Sequence, residues 1–311
     1  MADPPPVTGI ESAVQSSIKK EFFNKISPVA DQRRSYAALQ KAADLHLTES
    51  WPRLSRSTAL GQMKYFAKNI GEFWRGGRAS LRFLAAAPIV NAQVALRAKD
   101  REDARDLFAR HFRRFLDTCQ VSVSLDGEFP EPGKGCVLCY NETSFVDVAS
   151  YCVSMWPYVD RAAAADLYAY FPFARAACRK AAIEMVPRGN RKATDQLLER
   201  MVLAAKQGER VAWGGEGRLS GKDGVGRFKV GASLIAIRAQ VPVIPVVFQG
   251  GHHAMPLGTL RARPGEVRIR FCKPVPTAGY VEADAREFAD RLQKEFVRIY
   301  RQLAEKRPAL S

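Results

Sequence analysis

The stretch Val211-Ala-Trp-Gly-Gly-Glu-Gly-Arg-Leu-Ser220 decides how this chain is interpreted. Its first three residues are apolar, as at the end of a buried strand. A glycine-rich turn follows and carries one carboxylate, Glu216, and one guanidinium, Arg218. Glycines such as Gly217 permit positive φ angles and let a ligand approach the backbone closely. The stretch predicts a strand that opens into a binding turn for a polar, phosphorylated ligand, because arginine binds phosphate through paired hydrogen bonds.

Short apolar strands alternate with helical stretches on both sides of this turn. This alternation predicts an α/β domain over residues 121–311, with a mostly parallel sheet flanked by helices. Residues 1–120 instead show apolar residues at three- and four-residue spacing, which predicts a helical N-terminal region. Loops at the carboxyl ends of parallel strands form the site in such domains, so the glycine-rich turn should belong to it.

Three further blocks accompany the turn. An apolar run at 136–140 opens into a polar loop, a second at 182–187 ends before an arginine, and a third at 241–248 contains two prolines. The polar residues of the first two blocks are Asn141, Glu142, Ser144, Asp147 and Arg188. In this order and at this spacing, the four blocks resemble the glycerolipid acyltransferases of the 1-acylglycerol-3-phosphate acyltransferase type. The resemblance covers about residues 115–300.

The family pattern is Asn-His-x-x-x-x-Asp, an apolar run ending in Arg, Pro-Glu-Gly-Thr-Arg-Ser, and Val-Pro-x-x-Pro-Val. It implies transfer of a fatty acyl chain from acyl-CoA or acyl carrier protein to a lysophospholipid, glycerol phosphate or related lipid alcohol. It implies no metal or prosthetic group, because the acyl donor is a co-substrate. Such a transfer needs a base, donors for the oxyanion and cations for the acceptor phosphate.

The resemblance implies roles residue by residue. Asp147 matches the aspartate that orients the base, and Arg188 and Arg218 match positions that hold the acceptor's anionic group. Glu216 matches a residue that contacts the acceptor hydroxyl or positions the arginine. The remaining matching positions, expected to help bind substrate, are Asn141, Ser144 and Gly217.

One departure is serious, because Glu142 stands where the family has its catalytic histidine. Glu142 has three interpretations. It is a base whose pKa is raised by burial and by a neighbouring carboxylate. Alternatively, it marks a natural pseudoenzyme or altered chemistry, or it is an introduced substitution. An ordinary exposed carboxylate is a poor base for an alcohol, so activity below that of a histidine enzyme is expected. Two smaller departures are Gly215 in place of proline and Arg218-Leu219 in place of Thr-Arg.

Another histidine could take the missing role. His46 and His111 fall in predicted helices, which favours structural roles. His252 and His253 follow the third apolar strand, where a site loop is expected, so they could reach the substrate. Two ordinary surface histidines are the simpler interpretation of this pair.

Composition restricts the partners. The 311-residue chain is 47% apolar and has a formal net charge of +16, which favours polyanions. No helix-turn-helix, zinc-finger or RNA-binding aromatic motif is present, so nucleic acid is not an expected partner and a nucleic-acid-binding function rests on charge alone. The six cysteines contain a single Cys-x-x-Cys pair, which indicates reduced, buried thiols rather than a zinc site. Reduced thiols in turn indicate a cytoplasmic protein.

Residues 65–84 interleave aromatic and basic side chains, as an interfacial helix does. Packing of the aromatic stripe on the main domain is an equally good interpretation. The most apolar stretch nearby, 83–96, contains Pro88 and is too short for a bilayer. The sequence therefore predicts peripheral attachment to an anionic membrane surface, with no transmembrane segment and no signal peptide. A non-catalytic lipid-binding member of the family is the alternative function.

Overall fold

The computed structural model describes residues 59–187 and 189–305, with side-chain surroundings from Asn69 onward. The sequence predictions for Arg188, for His46 and for a helix at 35–47 therefore lie outside the described residues. Residues Tyr65–Ser311 form one compact unit. The division of the chain at residue 120 stays a prediction.

The secondary structure alternates between strands and helices, as the sequence predicts. The helices are α1 (Ala59–Arg97), α2 (Arg101–Cys119), α3 (Phe145–Ser154), α4 (Ala174–Lys180), α5 (Arg191–Lys206), α6 (Gly231–Ala239), α7 (Gly251–Ala254) and α8 (Ala285–Glu305). The strands are β1 (Val121–Gly127), β2 (Cys136–Tyr140), β3 (Arg161–Ala165), β4 (Ile183–Val186), β5 (Arg210–Gly214), β6 (Val243–Gln249) and β7 (Gly265–Phe271). Directly after β3, Asp166–Tyr170 forms a 3₁₀ helix.

The seven strands form one sheet in the order β1-β7-β6-β2-β5-β3-β4. All neighbouring strands are parallel except β6 and β7, which are antiparallel. The chain returns from β6 to β7 through the short α7 and a loop, and an antiparallel pair needs no crossover helix. The predicted α/β fold with a mostly parallel sheet is confirmed. The carboxyl ends of the central strands β2, β5 and β6 therefore share one edge, which brings their following loops together.

Helices cover both faces of the sheet. Apolar residues of α5, α6 and α8 pack on one face, and those of α2 and α3, with Ala79 of α1, pack on the other. Cys136 and Cys139 lie in opposite cores, as the alternation of side chains along a strand requires. The six cysteines are free, and burial raises the pKa of the Cys136 thiol to about 12. Such thiols are unreactive.

Helix α1 differs from the sequence prediction. It continues through Pro88, and its segment Asn69–Arg97 is long and apolar enough to cross a membrane by length and composition alone. A core helix passes the same test. The aromatic residues of 65–84 are divided: Phe83 stacks on His111 at 4.2 Å between ring centroids, whereas Trp74 is 74% exposed. The interfacial role of this helix stays a prediction.

A buried carboxylate attaches α1 to the rest of the unit. Glu72 is 5% exposed, and its Oε2 accepts hydrogen bonds from Arg261 at 2.9 Å and Arg263 at 3.1 Å. The backbone oxygen of Glu72 also accepts from the amide of Ala262 at 3.0 Å. Gly76 lies so close to the Leu260 carbonyl that a Cβ atom there would be 2.1 Å from its oxygen. The part of α1 around Glu72 and Gly76 is thus held to the segment that precedes β7.

Candidate functional site

The loop after β2 is anchored by Asn141. This side chain is fully buried, donates to the Phe248 carbonyl at 3.0 Å and accepts from the Phe248 amide at 2.9 Å. It therefore joins the carboxyl end of β2 to that of β6, replacing ladder hydrogen bonds where the strands separate. The structure thus shows an architectural role for Asn141, and its predicted contact with substrate stays a prediction.

Asp147 and Ser144 begin α3 with a capping box. Ser144 Oγ accepts from the Val146 amide at 3.1 Å, and Asp147 Oδ2 accepts from the Ser144 amide at 3.1 Å. Oδ2 also accepts from the amide and hydroxyl of Thr143, at 2.7 and 2.6 Å. This is the helix-start role of an aspartate, and it uses only one carboxylate oxygen.

The second oxygen, Asp147 Oδ1, is buried without a hydrogen-bond partner. It faces Gly251, where a Cβ atom would lie 1.9 Å from it, so only glycine fits at the start of α7. Burial raises the pKa of the Asp147 carboxyl, while the Thr143 and Ser144 hydrogen bonds act in the opposite direction. The orienting role implied for Asp147 remains a prediction.

Glu142 lies between Asn141 and the capping box of Ser144 and Asp147, and it is half-buried. A Cβ atom on Gly214, the last residue of β5, would lie 3.8 Å from Glu142 Oε2. Burial is the main cause of the raised pKa of the Tyr140 and Tyr151 hydroxyls, and the Glu142 carboxylate adds to it. Glu142 therefore sits at the carboxyl ends of β2 and β5, beside a buried pair of tyrosines.

The glycine-rich turn after β5 is joined to the β2 loop through the backbone. The amide of Gly215 donates to the Tyr140 carbonyl at 2.8 Å, that of Ser220 to Glu142 at 2.9 Å, and that of Gly221 to Thr143 at 3.1 Å. Gly217 has a φ of +66°, which favours glycine, and the Lys229 side chain lies against it. The two loops with the predicted site residues therefore form one surface.

Glu216 is the buried member of this turn, at 6% exposure. Burial raises the pKa of its carboxyl to about 7, and the charge of Asp147 acts in the same direction. The backbone amides of Gly226 and Glu142, and the charge of Arg218, act against that shift. Glu216 Oε1 has no hydrogen-bond partner, whereas Arg218 is exposed. The structure thus brings together Asn141, Glu142, Ser144, Asp147, Glu216, Gly217 and Arg218. Their functional roles stay predictions.

His252 and His253 are the two middle residues of α7, beside this surface. His253 Nε2 lies 3.0 Å from Asp223 Oδ2, and Tyr300 of α8 donates to Asp223 Oδ1 at 2.5 Å. The Nδ1 atom of His252 is buried without a partner, and burial lowers the pKa of this imidazole. His111, by contrast, is a structural side chain whose pKa burial lowers to about 4.

Sequence reasoning missed Asp223 and Tyr300. Asp223 stands in the glycine-rich run Gly221-Lys-Asp-Gly-Val-Gly226, and that run was a usable signal for a second site loop. Tyr300 falls on the apolar face of a long amphipathic helix, where its pattern predicts only core packing. Within residues 59–187 and 189–305, no group of three or more His, Cys, Asp or Glu side chains is arranged to hold a metal ion.

Part of the chain is similar to known proteins. The family model named Acyltransferase matches residues 120–249, which contain both loops. The protein acl-2 of Caenorhabditis elegans, assigned as a 1-acyl-sn-glycerol-3-phosphate acyltransferase, is 29% identical over 174 residues. These residues are 55% of this chain and 61% of the nematode protein. Human 1-acyl-sn-glycerol-3-phosphate acyltransferase alpha is 31% identical over 77 residues, 25% of this chain and 27% of the human protein.

The fold has a solved counterpart. The crystal structure of the 1-acyl-sn-glycerophosphate acyltransferase PlsC from Thermotoga maritima superposes with a TM-score of 0.57 at 20% identity. It covers 78% of this chain and 99% of the bacterial chain, and it shows a shared fold. The chain spans about three fifths of the nematode relative and about a quarter of the human one. The family match and the named relatives show similarity to acyltransferases over part of the chain, and the solved structure shows a shared fold.

Proposed function

We propose that this protein transfers a fatty acyl chain from acyl-CoA or acyl carrier protein to a lysophospholipid, glycerol phosphate or related lipid alcohol. The observation that carries the proposal is the backbone pairing of the Glu142 and Ser220 loops at one edge of the sheet. That pairing places the Glu142/Asp147 block beside the Glu216/Arg218 block, which is the order and proximity that the chemistry needs.

The reaction needs one proton movement and one exchange of bonds. The acceptor hydroxyl oxygen attacks the thioester carbonyl, a C–O bond forms, the C–S bond breaks, and the proton passes through a base to the departing thiolate. Glu142 occupies the position of the base, and Arg218 is exposed beside it to bind the acceptor's anionic group. We place Arg188 in the same anionic subsite, from its sequence position.

The same proposal includes attachment to a membrane. The exposed apolar side chains of α1 are Ile70, Phe73, Trp74, Leu81, Leu84, Ile89 and Leu96. Basic residues alternate with them along the helix, which suits an anionic lipid surface on the cytoplasmic side. Attachment of this kind would present the site edge to lipid acceptors without a spanning segment.

One observation favours a second function. A carboxylate at position 142 is a weaker base than imidazole, which titrates near neutrality. A protein of this fold that binds lysolipid without acylating it is therefore the alternative. Binding of lysolipid with no acyl transfer, even in the Glu142→His variant, would establish it.

The deciding experiment measures transfer of a radiolabelled acyl group from acyl-CoA or acyl carrier protein to a panel of lysolipids and glycerol phosphate. Glu142→His should raise the rate by up to ~10²–10⁴-fold, because general base catalysis contributes that much when fully restored. Glu142→Gln should abolish residual transfer if the carboxylate is the base.

Glu128→His is the matched control, because it adds the same side chain at an exposed position of the loop after β1. An equal gain in that variant would show that free imidazole, and not position 142, causes the effect. If the unaltered protein is already fully active and Glu142→Gln changes nothing, the base lies elsewhere, and His252 and His253 are the residues to replace.

A further inference from the structure

The segment 221–227, called here the 221–227 loop, covers Glu216. Gly226 lies directly against its carboxylate, since a Cβ atom there would be 2.4 Å from Glu216 Oε2. With Gly221 at a φ of +69° and Gly224 at +120°, the loop uses conformations that favour glycine. Lys222, Asp223 and Arg227 are exposed. The loop, with three glycines among its seven residues, is therefore a thin cover over a buried carboxyl group.

Each end of the 221–227 loop is fixed to the body of the protein. At its start, the amide of Gly221 donates to the Thr143 carbonyl at 3.1 Å. After its end, Phe228 is 1% exposed and packs on Phe296 of α8 at 4.8 Å between ring centroids. Arg286 donates to the Phe228 carbonyl at 2.9 Å. The loop is thus an arch between two anchors, with Val225 packed against the core and a polar contact in its middle.

Asp223 supplies that middle contact. Its Oδ1 accepts the Tyr300 hydroxyl at 2.5 Å, and its Oδ2 lies 3.0 Å from His253 Nε2. Tyr300 is 6% exposed and belongs to the core packed by α8, so its hydroxyl is a fixed point. Burial, followed by the hydrogen bond to Asp223, raises the pKa of the Tyr300 hydroxyl, which keeps it a donor near neutral pH.

We propose that Asp223 is a positioning residue, which holds the 221–227 loop closed through Tyr300 and His253 and so keeps water away from the Glu216 carboxyl. Its importance for acyl transfer rests on the proposed function, whereas closure of the loop does not. The groups that face Glu216 are Cys139 of β2, Asp147 of α3, Arg218, and the backbone amides of Glu142 and Gly226. Those that face Asp223 are His252 and His253 of α7, Tyr300 of α8, and Asp147.

Limited proteolysis of the full chain tests the closure. Tyr300→Phe removes one hydroxyl and leaves the cleavage sites intact, so trypsin should cut after Lys222 and Arg227 about tenfold faster than in the unaltered protein. Tyr280→Phe is the matched control, because the Tyr280 hydroxyl accepts an exposed hydrogen bond from Arg291 at 2.8 Å instead of binding Asp223. Cleavage after Lys206 in α5 should not change, which excludes global unfolding.

Titration of Glu216 by ¹³C NMR tests the consequence. The signal is identified by its absence in Glu216→Gln, and the pKa of the unaltered protein should be about 7. Tyr300→Phe and Asp223→Asn should lower it toward the usual glutamate value, because water reaches the carboxylate. Gly226→Ala should do the same by a separate route, since the added methyl group displaces the loop from Glu216.

Unchanged cleavage after Lys222 and Arg227 in both Tyr300→Phe and Asp223→Asn would overturn the proposal. So would a Glu216 titration that stays the same in those variants. Neither measurement depends on turnover, so a protein with no acyl transfer but the expected cleavage and titration would refute the proposed function and leave the role of Asp223 standing.

Discussion

Burial decides which carboxyl group of the site can hold a proton near neutral pH. Glu216 has a pKa raised to about 7 by burial and by the charge of Asp147, and the pKa of Asp147 is itself raised by burial. Two nearby carboxylates in a shielded place do not both ionise freely. The edge of the sheet therefore carries a carboxyl group that exchanges a proton where most glutamates are already ionised.

This arrangement makes stability depend on pH. Below the ordinary glutamate pKa, Glu216 is protonated in both folded and unfolded states, so it contributes no difference. Between about pH 4.5 and 7, the folded protein binds more protons than the unfolded chain, and stability falls as pH rises. We expect Glu216→Gln to remove this loss, which is roughly 3 kcal/mol at most. Urea unfolding at pH 4 and pH 8 measures it.

Glu287→Gln serves as the control, because Glu287 is exposed on α8. The difference in stability between pH 4 and pH 8 should be the same in that variant and in the unaltered protein. If Glu216→Gln shows that same difference, Glu216 does not titrate as a buried carboxyl group.

The arginine of the glycine-rich turn should bind the acceptor. Arg218 is exposed next to the buried Glu216, so its guanidinium is accessible to a phosphate. Arg218→Ala should weaken acceptor binding by ~1–3 kcal/mol through loss of a charge-assisted hydrogen bond. Arg227→Ala, an exposed arginine at the end of the 221–227 loop, is the matched control. Equal affinities in both variants and in the unaltered protein would exclude this role for Arg218.

At the scale of single residues, local patterns predicted more than distant contacts did. The capping box of Ser144 and Asp147 is encoded within four residues, so the start of α3 was predictable. The contact between Asp223 and Tyr300 joins positions 77 residues apart, and no local pattern contains it. The bonds from Asn141 to Phe248 span 107 residues, and their architectural use was equally hidden.

Helix α1 is the element whose outer side needs an explanation. Trp74 is 74% exposed and Leu81 is 70% exposed, on a helix whose Ala79 is buried against the sheet. Large exposed apolar side chains on one helix mark an interaction surface, and the basic residues beside them favour anionic lipid. The mixed character of this helix explains why its sequence supported two interpretations equally.

Vesicle flotation tests this surface. The protein should bind vesicles with anionic lipid, less strongly at high salt because screening weakens the electrostatic part. Replacing Trp74 and Leu81 with alanine should lower binding about tenfold or more, from the loss of buried apolar area. Leu203→Ala is the control, because Leu203 is 56% exposed on α5, against the other face of the sheet. Absence of binding at either salt would reject the surface.

At the scale of the whole molecule, the fold was predictable because strands and helices alternate from β2 onward. The order of the strands was not predictable, since β1 pairs with β7, the last strand in sequence. The antiparallel direction of β7 against β6 was not predictable either, because the apolar pattern of β7 is the same in either direction. The continuity of α1 through Pro88 was not predictable either, because a proline inside an apolar run usually ends or kinks a helix.

The attachment of α1 through Glu72 connects this helix to α7. Glu72 binds Arg261 and Arg263, and the amide of Arg263 donates to the carbonyl of Ala254 in α7 at 2.7 Å. Displacement of α1 by a bilayer would therefore be transmitted through these contacts to the helix that carries His253. We expect vesicles to change hydrogen exchange at residues 254–263, and Glu72→Gln to uncouple that change from vesicle binding. An identical response in Glu72→Gln would show that the change at residues 254–263 does not pass through Glu72.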